Sequence, residues 1–203
     1  MPTPAIREHL SKDPFFEKII PLLELPELSA KRSLYEELLD AVVSQQVSVA
    51  AATTVFNRFL DLFENRQPYP QHLLALSPEQ LRAVGLSRQK SGYLHNVATF
   101  FAEKNYENHD WSSQSDEEII NELTQIKGVG RWTVQMILMF TLHREDVFAI
   151  DDLIVQKSMI RAYQLTETGK PLRRRLEEIA KQWQPHRSTA CRYLWRFKDV
   201  KNW

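Results

Sequence analysis

The sequence predicts an all-α fold. Helix-forming residues are plentiful, only five glycines occur in 203 residues, and apolar residues recur almost throughout at the spacing of an amphipathic helix. The alternating pattern of a half-buried strand is negligible. The chain is long enough to bury a sizeable core, as one compact domain or as two small lobes.

Capping residues mark where the first predicted helices begin. Asp13 and Pro14 precede a short apolar segment, and Ser33, followed three residues later by Glu36, has the pattern of a capping box. The helix after Ser33 places these apolar residues on one face: Leu34, Leu38, Leu39, Val42 and Val43. A second helix is predicted over residues 47–63, where three consecutive alanines permit close packing.

Prolines, glycines and polar runs divide the rest of the chain. Residues 64–72 predict a proline-bearing loop, Ser77-Pro78-Glu79 a helix start, and Gly85-Leu86-Ser87 a helix end. The later predicted elements, in order, are a helix over 89–102, a polar loop over 104–115, a helix from Asp116, a helix from Asp152 to about Tyr163, a turn over 166–171, a helix through Trp183 and a last helix from Ser188.

Cysteine count, hydropathy and charge narrow the classes of function. The single cysteine, Cys191, excludes an intrachain disulfide and a four-cysteine cluster, and it fits a reducing cytoplasm. No apolar run reaches the roughly 18–20 residues of a membrane span, and the first residues lack the apolar stretch of a secretory signal. Because 26 basic and 26 acidic residues cancel, a nucleic-acid binder of this composition must rely on backbone amides and a few placed cations.

The segment from Leu123 to Asp152 is the most informative part of the sequence. Gly128-Val129-Gly130 lies between two helical patterns, and glycine permits close approach of backbone N–H groups to a phosphate. Lys127 and Arg131 add positive charge there, although a bare glycine pair is more commonly a tight helix–helix turn. Two carboxylates follow, the second lying 22 positions beyond Gly130 (152 − 130). An anion-binding hairpin followed by an acid indicates chemistry on a nucleic acid.

Several motifs in this order resemble one family of repair enzymes. They are SQQVSVAAAT (44–53), GVGRWTVQMIL (128–138), DVFAIDDLIVQK (146–157) and WQPHRSTACRYLW (183–195). Together they resemble the helix–hairpin–helix DNA glycosylase superfamily over roughly residues 13–200, and within it the alkylation-repair branch of 3-methyladenine DNA glycosylase II. The resemblance implies a minimal member without the N-terminal β-rich domain of longer relatives. It also implies that double-stranded DNA containing alkylated bases is the partner of a monomeric, cytoplasmic or nuclear enzyme.

The resemblance implies that Asp152 is the catalytic residue. Breaking an N-glycosidic bond develops positive charge on the deoxyribose, which a nearby carboxylate opposes while water adds. The alternative is that Asp151 and Asp152 only cap a helix; we expect Asp151 to be the cap and Asp152 to be the acid.

Three residues are expected to form the base pocket: Trp132, Trp195 and Met136. Bifunctional relatives carry a Schiff-base lysine where this chain has Trp132, so the resemblance implies hydrolysis by water without efficient lyase chemistry. An indole face favours positively charged alkylpurines, although either tryptophan could instead be a core residue. Met136 departs from the family tyrosine and leaves the breadth of the pocket open. Trp183 and Trp203 are interpreted as structural.

DNA contacts are expected from the hairpin and from two further segments. The hairpin supplies the amides of Gly128, Gly130 and Trp132 beside Lys127 and Arg131, and Gln46 matches the family tip that enters the duplex when the target base leaves. Gln46 could also be an ordinary helix-terminal amide, and Arg88 and Lys90 are either phosphate contacts or solvated basic residues. No cofactor is required, but a sodium or potassium ion is expected when DNA is bound, on the backbone carbonyls of Thr124, Ile126 and Val129.

The sequence thus predicts two helical lobes with an active-site cleft between them. One lobe spans residues 27–144 and contains the helix–hairpin–helix motif; the other joins residues 1–26 to 145–203. The predicted function is monofunctional excision of 3-methyladenine and 7-methylguanine in base excision repair. The alternatives are a glycosylase of the same superfamily for an oxidised or deaminated base, and a non-catalytic helix–hairpin–helix module that binds DNA.

Overall fold

The structure is a computed structural model that describes residues 1–28 and 33–201. Within these ranges no strand occurs, and the all-α class is confirmed. The α-helices in chain order are α1 (Pro4–Leu10), α2 (Pro14–Ile19), α3 (Leu34–Ser44), α4 (Val49–Leu60), α5 (Pro70–Leu74), α6 (Pro78–Ala83), α7 (Arg88–Lys104), α8 (Asp116–Leu123), α9 (Arg131–Phe140), α10 (Leu153–Tyr163), α11 (Gly169–Lys181) and α12 (Arg187–Phe197). None of the helices in these ranges has the length and apolar character needed to span a membrane.

Capping side chains place most helix starts where the sequence indicates them. Ser33 Oγ accepts the Glu36 N–H at 3.1 Å, so α3 begins as predicted. Ser77 forms a capping box with Gln80 at the start of α6. Each such cap satisfies an N–H group that has no partner within its own helix, which is why local sequence alone identifies these boundaries.

Short helices are where the sequence expectations were wrong. The pattern does not predict α1, and residues 64–72, expected to be a loop, contain a 3₁₀ turn and the start of α5. The expected turn over 166–171 is also too long, because α11 already begins at Gly169. Helices α1 and α5 have seven and five residues, too few to show a helical period. Burial of Leu10 and Leu73 stabilises them through tertiary packing instead.

The chain forms two compact units, each with its own core. The hairpin unit is residues 31–137, and its fully buried side chains include Leu38, Leu39, Phe59, Leu73, Leu94, Val97 and Leu123. The aspartate unit is residues 1–30 and 138–203, and its fully buried side chains include Phe16, Ile19, Met159, Trp183, Tyr193 and Phe197. The lobe boundaries expected from the sequence remain a prediction.

Two residues singled out in the sequence lie inside the aspartate unit. Trp183 is fully buried, in agreement with its structural interpretation. Cys191 is also fully buried, and burial raises the pKa of its thiol to about 12, so it is not a reactive nucleophile. Trp203 lies outside the described residues.

Candidate active site

Asp152 is a buried carboxylate at the start of α10. It is the N-cap residue, and its Oδ1 accepts the backbone N–H groups of Ile154 at 2.8 Å and Val155 at 2.9 Å. The indole N–H of Trp195 donates to the same oxygen at 2.9 Å. Three donors on one oxygen orient the carboxylate, and only 8% of the residue is exposed.

The expectation that Asp151 caps this helix was wrong. Asp152 has the extended backbone of an N-cap and accepts the N–H groups of the first turn, so one residue both caps the helix and carries the candidate acid. Asp151 lies outside the helix start and accepts from Arg173 Nη1 of α11 at 2.6 Å. The pattern of two adjacent aspartates could not separate these roles, because either residue is a competent cap.

The loop before Asp152 is closed by its own hydrogen bonds. The Asp152 N–H donates to the Ala149 carbonyl at 3.0 Å, and Gln156 Nε2 of α10 donates to the Ile150 carbonyl at 2.7 Å. Helix α12 packs against α10, where Ser158 Oγ donates to the Leu194 carbonyl at 2.8 Å. Contacts across these two helices therefore place Trp195, the next residue, beside Asp152.

Phe140 is a candidate site residue that the sequence did not predict. Its ring lies 5.6 Å from the Trp195 ring, centroid to centroid, at an interplanar angle of 31°. It is 40% exposed, whereas most apolar residues of α9 are buried. The signal in the sequence was an apolar residue at the end of α9, eight positions after Trp132, but helical spacing alone cannot tell an exposed aromatic residue from a buried one.

The hairpin, residues 124–130, connects α8 to α9 within the hairpin unit. Gly128 has φ +107°, and a Cβ at this position would collide with the ring of Tyr93 from α7. Gly130 faces open space, because no described residue other than its chain neighbours comes within 4 Å of the position a Cβ would take. Gly128 is thus required by the fold itself, while Gly130 leaves the backbone accessible to a ligand at the start of α9.

The charged residues near the hairpin differ in what they contact. Arg131 donates a hydrogen bond from each of its two terminal nitrogens to the Glu117 carboxylate, both at 2.9 Å. This pairing lowers the pKa of the Glu117 carboxyl. Lys90 donates from Nζ to the Val43 carbonyl at 2.7 Å, and burial lowers the pKa of its ammonium. Arg88 and Lys127 have exposed side chains.

The tip turn, residues 45–48, connects α3 to α4. Gln46 is exposed and has φ +58°, the left-handed conformation that residues other than glycine rarely adopt. Its neighbour Gln45 is half-buried, and its Nε2 donates to the Gly128 carbonyl at 3.0 Å. The structure therefore brings the tip turn and the hairpin together, a pairing of residues 83 positions apart.

Trp132 and Met136 lie on α9 within the hairpin unit. Trp132 is 46% exposed, so the alternative of an ordinary core tryptophan does not hold. Met136 is half-buried one helical turn further on. Asp152 and Trp195 belong to the other unit, where the structure brings those two into direct contact.

The carbonyls expected to bind a monovalent cation are chemically suited to one. Thr124, Ile126 and Val129 offer backbone oxygen atoms, the ligand type that hard cations prefer. The Ile126 carbonyl accepts the Val129 N–H at 3.0 Å, which uses one of its two lone pairs. These three residues are the ones that would bind such an ion.

Comparison with known proteins agrees with the fold and the motifs. Residues 39–185 match the family described as HhH-GPD superfamily base excision DNA repair protein. DNA-3-methyladenine glycosylase 1 of Schizosaccharomyces pombe is 36% identical over 175 residues, which cover 85% of this chain and 76% of that protein.

Two solved structures extend this likeness to three dimensions. A 3-methyladenine DNA glycosylase of Schizosaccharomyces pombe in complex with abasic DNA aligns with a TM-score of 0.80 at 32% identity, covering 98% of both chains. A DNA-3-methyladenine glycosidase from Bacillus halodurans aligns with a TM-score of 0.83 at 28% identity, covering 98% of this chain and 90% of that one. The resemblance seen in the sequence is confirmed, and this chain belongs to the HhH-GPD superfamily of base excision DNA repair proteins.

Proposed function

We propose that this protein is a monofunctional DNA glycosylase that excises alkylated purines, of the 3-methyladenine and 7-methylguanine class, from duplex DNA. The observation that carries the proposal is the Asp152 carboxylate, oriented by two backbone N–H groups and the Trp195 indole. The similar proteins from Schizosaccharomyces pombe support it, because they are named for 3-methyladenine and the solved one is bound to abasic DNA, the expected product of base removal.

Asp152 acts on the sugar rather than on the base. Breaking the C1′–N bond sends its electron pair to the purine, and a purine already positive from alkylation leaves as a neutral base. The sugar becomes an oxocarbenium-like cation, whose charge the Asp152 carboxylate opposes. Water then adds to C1′ and gives its extra proton to the solvent, leaving an abasic site and an unbroken strand.

The aromatic residues select and orient the extruded nucleotide. Trp132 presents a half-exposed indole, and a π face attracts a cationic purine more than a neutral one. Trp195 has two functions in this scheme, because its N–H orients Asp152 while its ring, next to Phe140, offers an aromatic face to the substrate. Since position 132 is a tryptophan, the chain has no lysine there to form a Schiff base.

The hairpin binds the DNA backbone. The amides of Gly128, Gly130 and Trp132 meet one phosphate, with Lys127 beside them and a sodium or potassium ion on the three carbonyls named above. Gln46 enters the duplex at the place the base has left, and Arg88 contacts a second phosphate. The protein acts as a monomer wherever the cell keeps its DNA, in the nucleoid of a cytoplasm or in a nucleus.

Base release from methylated genomic DNA, resolved by chromatography, tests this function. We expect 3-methyladenine and 7-methylguanine in the supernatant, with unmethylated DNA as the control. A panel of duplexes carrying oxidised or deaminated bases follows, and release from these alone would assign the enzyme to another lesion. Binding to abasic duplexes with no release from any substrate would make it a non-catalytic module.

Borohydride trapping tests the absence of lyase chemistry separately. We expect little covalent adduct on damaged duplex DNA, because hydrolysis by water passes through no imine. Efficient trapping would show that another amine of the chain attacks the sugar. Trp132→Lys is the informative comparison, since a lysine at this position should increase the adduct if position 132 faces the sugar.

A further inference from the structure

One face of α7 contacts the hairpin and the end of α3, which leads into the tip turn. Lys90, Tyr93 and Asn96 recur every three residues on this helix and so lie along one side of it. Lys90 Nζ donates to the Val43 carbonyl at the end of α3, next to the tip turn, at 2.7 Å. Asn96 Nδ2 donates to the Lys127 carbonyl of the hairpin at 2.9 Å.

Two further contacts complete the connection between these loops. The ring of Tyr93 lies against Gly128, close enough that no side chain fits there. Gln45 Nε2 of the tip turn donates directly to the Gly128 carbonyl at 3.0 Å. The hairpin is therefore joined directly to the tip turn, and α7 contacts both the hairpin and the end of α3 next to that turn.

We propose that Lys90, Asn96 and Gln45 are positioning residues that set the spacing between the tip turn and the hairpin. This inference rests on the proposed function, in which the hairpin binds a phosphate while Gln46 enters the duplex. A phosphate and the gap left by an extruded base are a fixed distance apart on DNA. Both contacts form together only when the two loops have the matching separation, and the left-handed backbone of Gln46 shows how specific the tip conformation is.

The same geometry assigns Lys90 and Arg88 different functions. The Lys90 ammonium is directed at a protein carbonyl, and burial lowers its pKa, which is the environment of a structural lysine. Arg88, two residues earlier, has an exposed side chain. Of the two basic residues near Ser87, Arg88 is the phosphate contact and Lys90 positions the loops.

The first test measures how well variants distinguish an abasic site. Affinities are measured for a duplex with one tetrahydrofuran abasic analogue and for the same duplex undamaged, using the parent, Gln45→Met, Asn96→Leu and Lys90→Met. In each variant the ratio of affinities for the abasic and the undamaged duplex should fall roughly three- to tenfold, the effect expected from losing one hydrogen bond. Binding to undamaged DNA should be retained. Lys90→Arg, which keeps a charged donor, should recover most of the lost preference.

The second test separates positioning from phosphate binding. A lysine or arginine bound to a phosphate contributes about 0.9 to the slope of log affinity against log salt. Arg88→Met should lower the slope by about that amount, and Lys90→Met should leave it unchanged. If Lys90→Met lowers the slope as much as Arg88→Met, Lys90 is a phosphate contact and the inference is overturned for that residue.

The outcomes also distinguish this inference from the proposed function. A parent protein without preference for the abasic duplex and without base release contradicts the function itself. A parent with both properties, together with variants that keep the full preference, overturns only the positioning role. Thermal midpoints of all variants are measured first, and Gln45→Met provides the surest reading, because its site is at the edge of a turn and is half-buried.

Discussion

Two aspartates are buried in the part of the chain that the structure describes, and both belong to the aspartate unit. Asp13 and Asp152 are N-caps of α2 and α10, are 2% and 8% exposed, and each accepts an indole N–H. They differ in how the donors are arranged. Oδ1 of Asp13 accepts the Phe15 N–H, while Oδ2 accepts from Tyr163, Gln182 and Trp183 at 2.7, 2.7 and 3.0 Å.

This difference separates a carboxylate that stabilises the fold from one suited to chemistry. The three side chains around Oδ2 of Asp13 come from residues at least 150 positions away, so the carboxylate joins distant segments of the unit. The donors named for Asp152 converge on one oxygen, and two of them belong to its own helix. Its partner Trp195 is half-buried, whereas Trp183 is fully buried. The same local motif therefore has different surroundings at the two positions, and the catalytic role that we propose applies to Asp152 alone.

The largest expected effect is that of Asp152→Asn. Asparagine is an equally good N-cap and its Oδ1 can accept the same three N–H groups, so α10 should keep its cap and the protein should remain folded. The negative charge that opposes the sugar cation is lost. Release of 3-methyladenine under single-turnover conditions should fall by roughly a hundredfold to a thousandfold, while abasic duplex binding persists. Parental release by this variant would contradict the assignment of Asp152.

Asp13→Asn should have the opposite profile. Its amide nitrogen cannot accept a hydrogen bond, so whichever oxygen it replaces leaves buried donors without an acceptor. We expect the protein to lose about 2–3 kcal/mol of stability in urea unfolding, and the folded fraction to excise at the parental rate. Loss of excision in a fully folded Asp13→Asn protein would mean that the comparison between the two carboxylates is wrong.

The paired variants Trp195→Phe and Trp183→Phe sharpen the comparison, because each removes the indole N–H from one carboxylate. Trp195→Phe should lower the maximal excision rate about tenfold and change the substrate concentration dependence little, since it frees the orientation of Asp152. Trp183→Phe should instead reduce stability by about 1–2 kcal/mol with little change in rate. If both variants changed stability alone, the Trp195 hydrogen bond would have no catalytic consequence.

The smallest expected effect is that of Tyr163→Phe, about 1 kcal/mol of stability at neutral pH. Burial first, and then the charge of Asp13 and its hydrogen bond, raise the pKa of the Tyr163 phenol. Because the folded pKa lies above the unfolded value of about 10, this contribution is present below pH 10 and is lost as the pH rises. The stability difference between parent and variant should therefore shrink in alkaline urea titrations. Tyr35→Phe is the matched control for the effect of burial, because burial also raises the pKa of Tyr35.

Much of the fold could be predicted because the relevant signals are local. Helical spacing and capping residues act within three or four positions, so α3, α6 and α8 begin where the sequence indicates. The glycine of the hairpin is likewise a local signal, since a φ of +107° is accessible to few residues other than glycine. Helices α1 and α5 were missed because they are too short to show a helical period, even though Thr3 caps α1.

The sequence by itself determined the helical class, the hairpin and the motifs that identify the superfamily, because these depend on residue spacing along the chain. Only the tertiary structure decided that Asp152 rather than Asp151 caps α10, that Trp195 donates to it across 43 positions, and that Phe140 lies beside that indole. It also directed Lys90 to a carbonyl 47 positions away. Such contacts depend on which helices pack together, so a side chain's neighbours along the chain do not predict its neighbours in space.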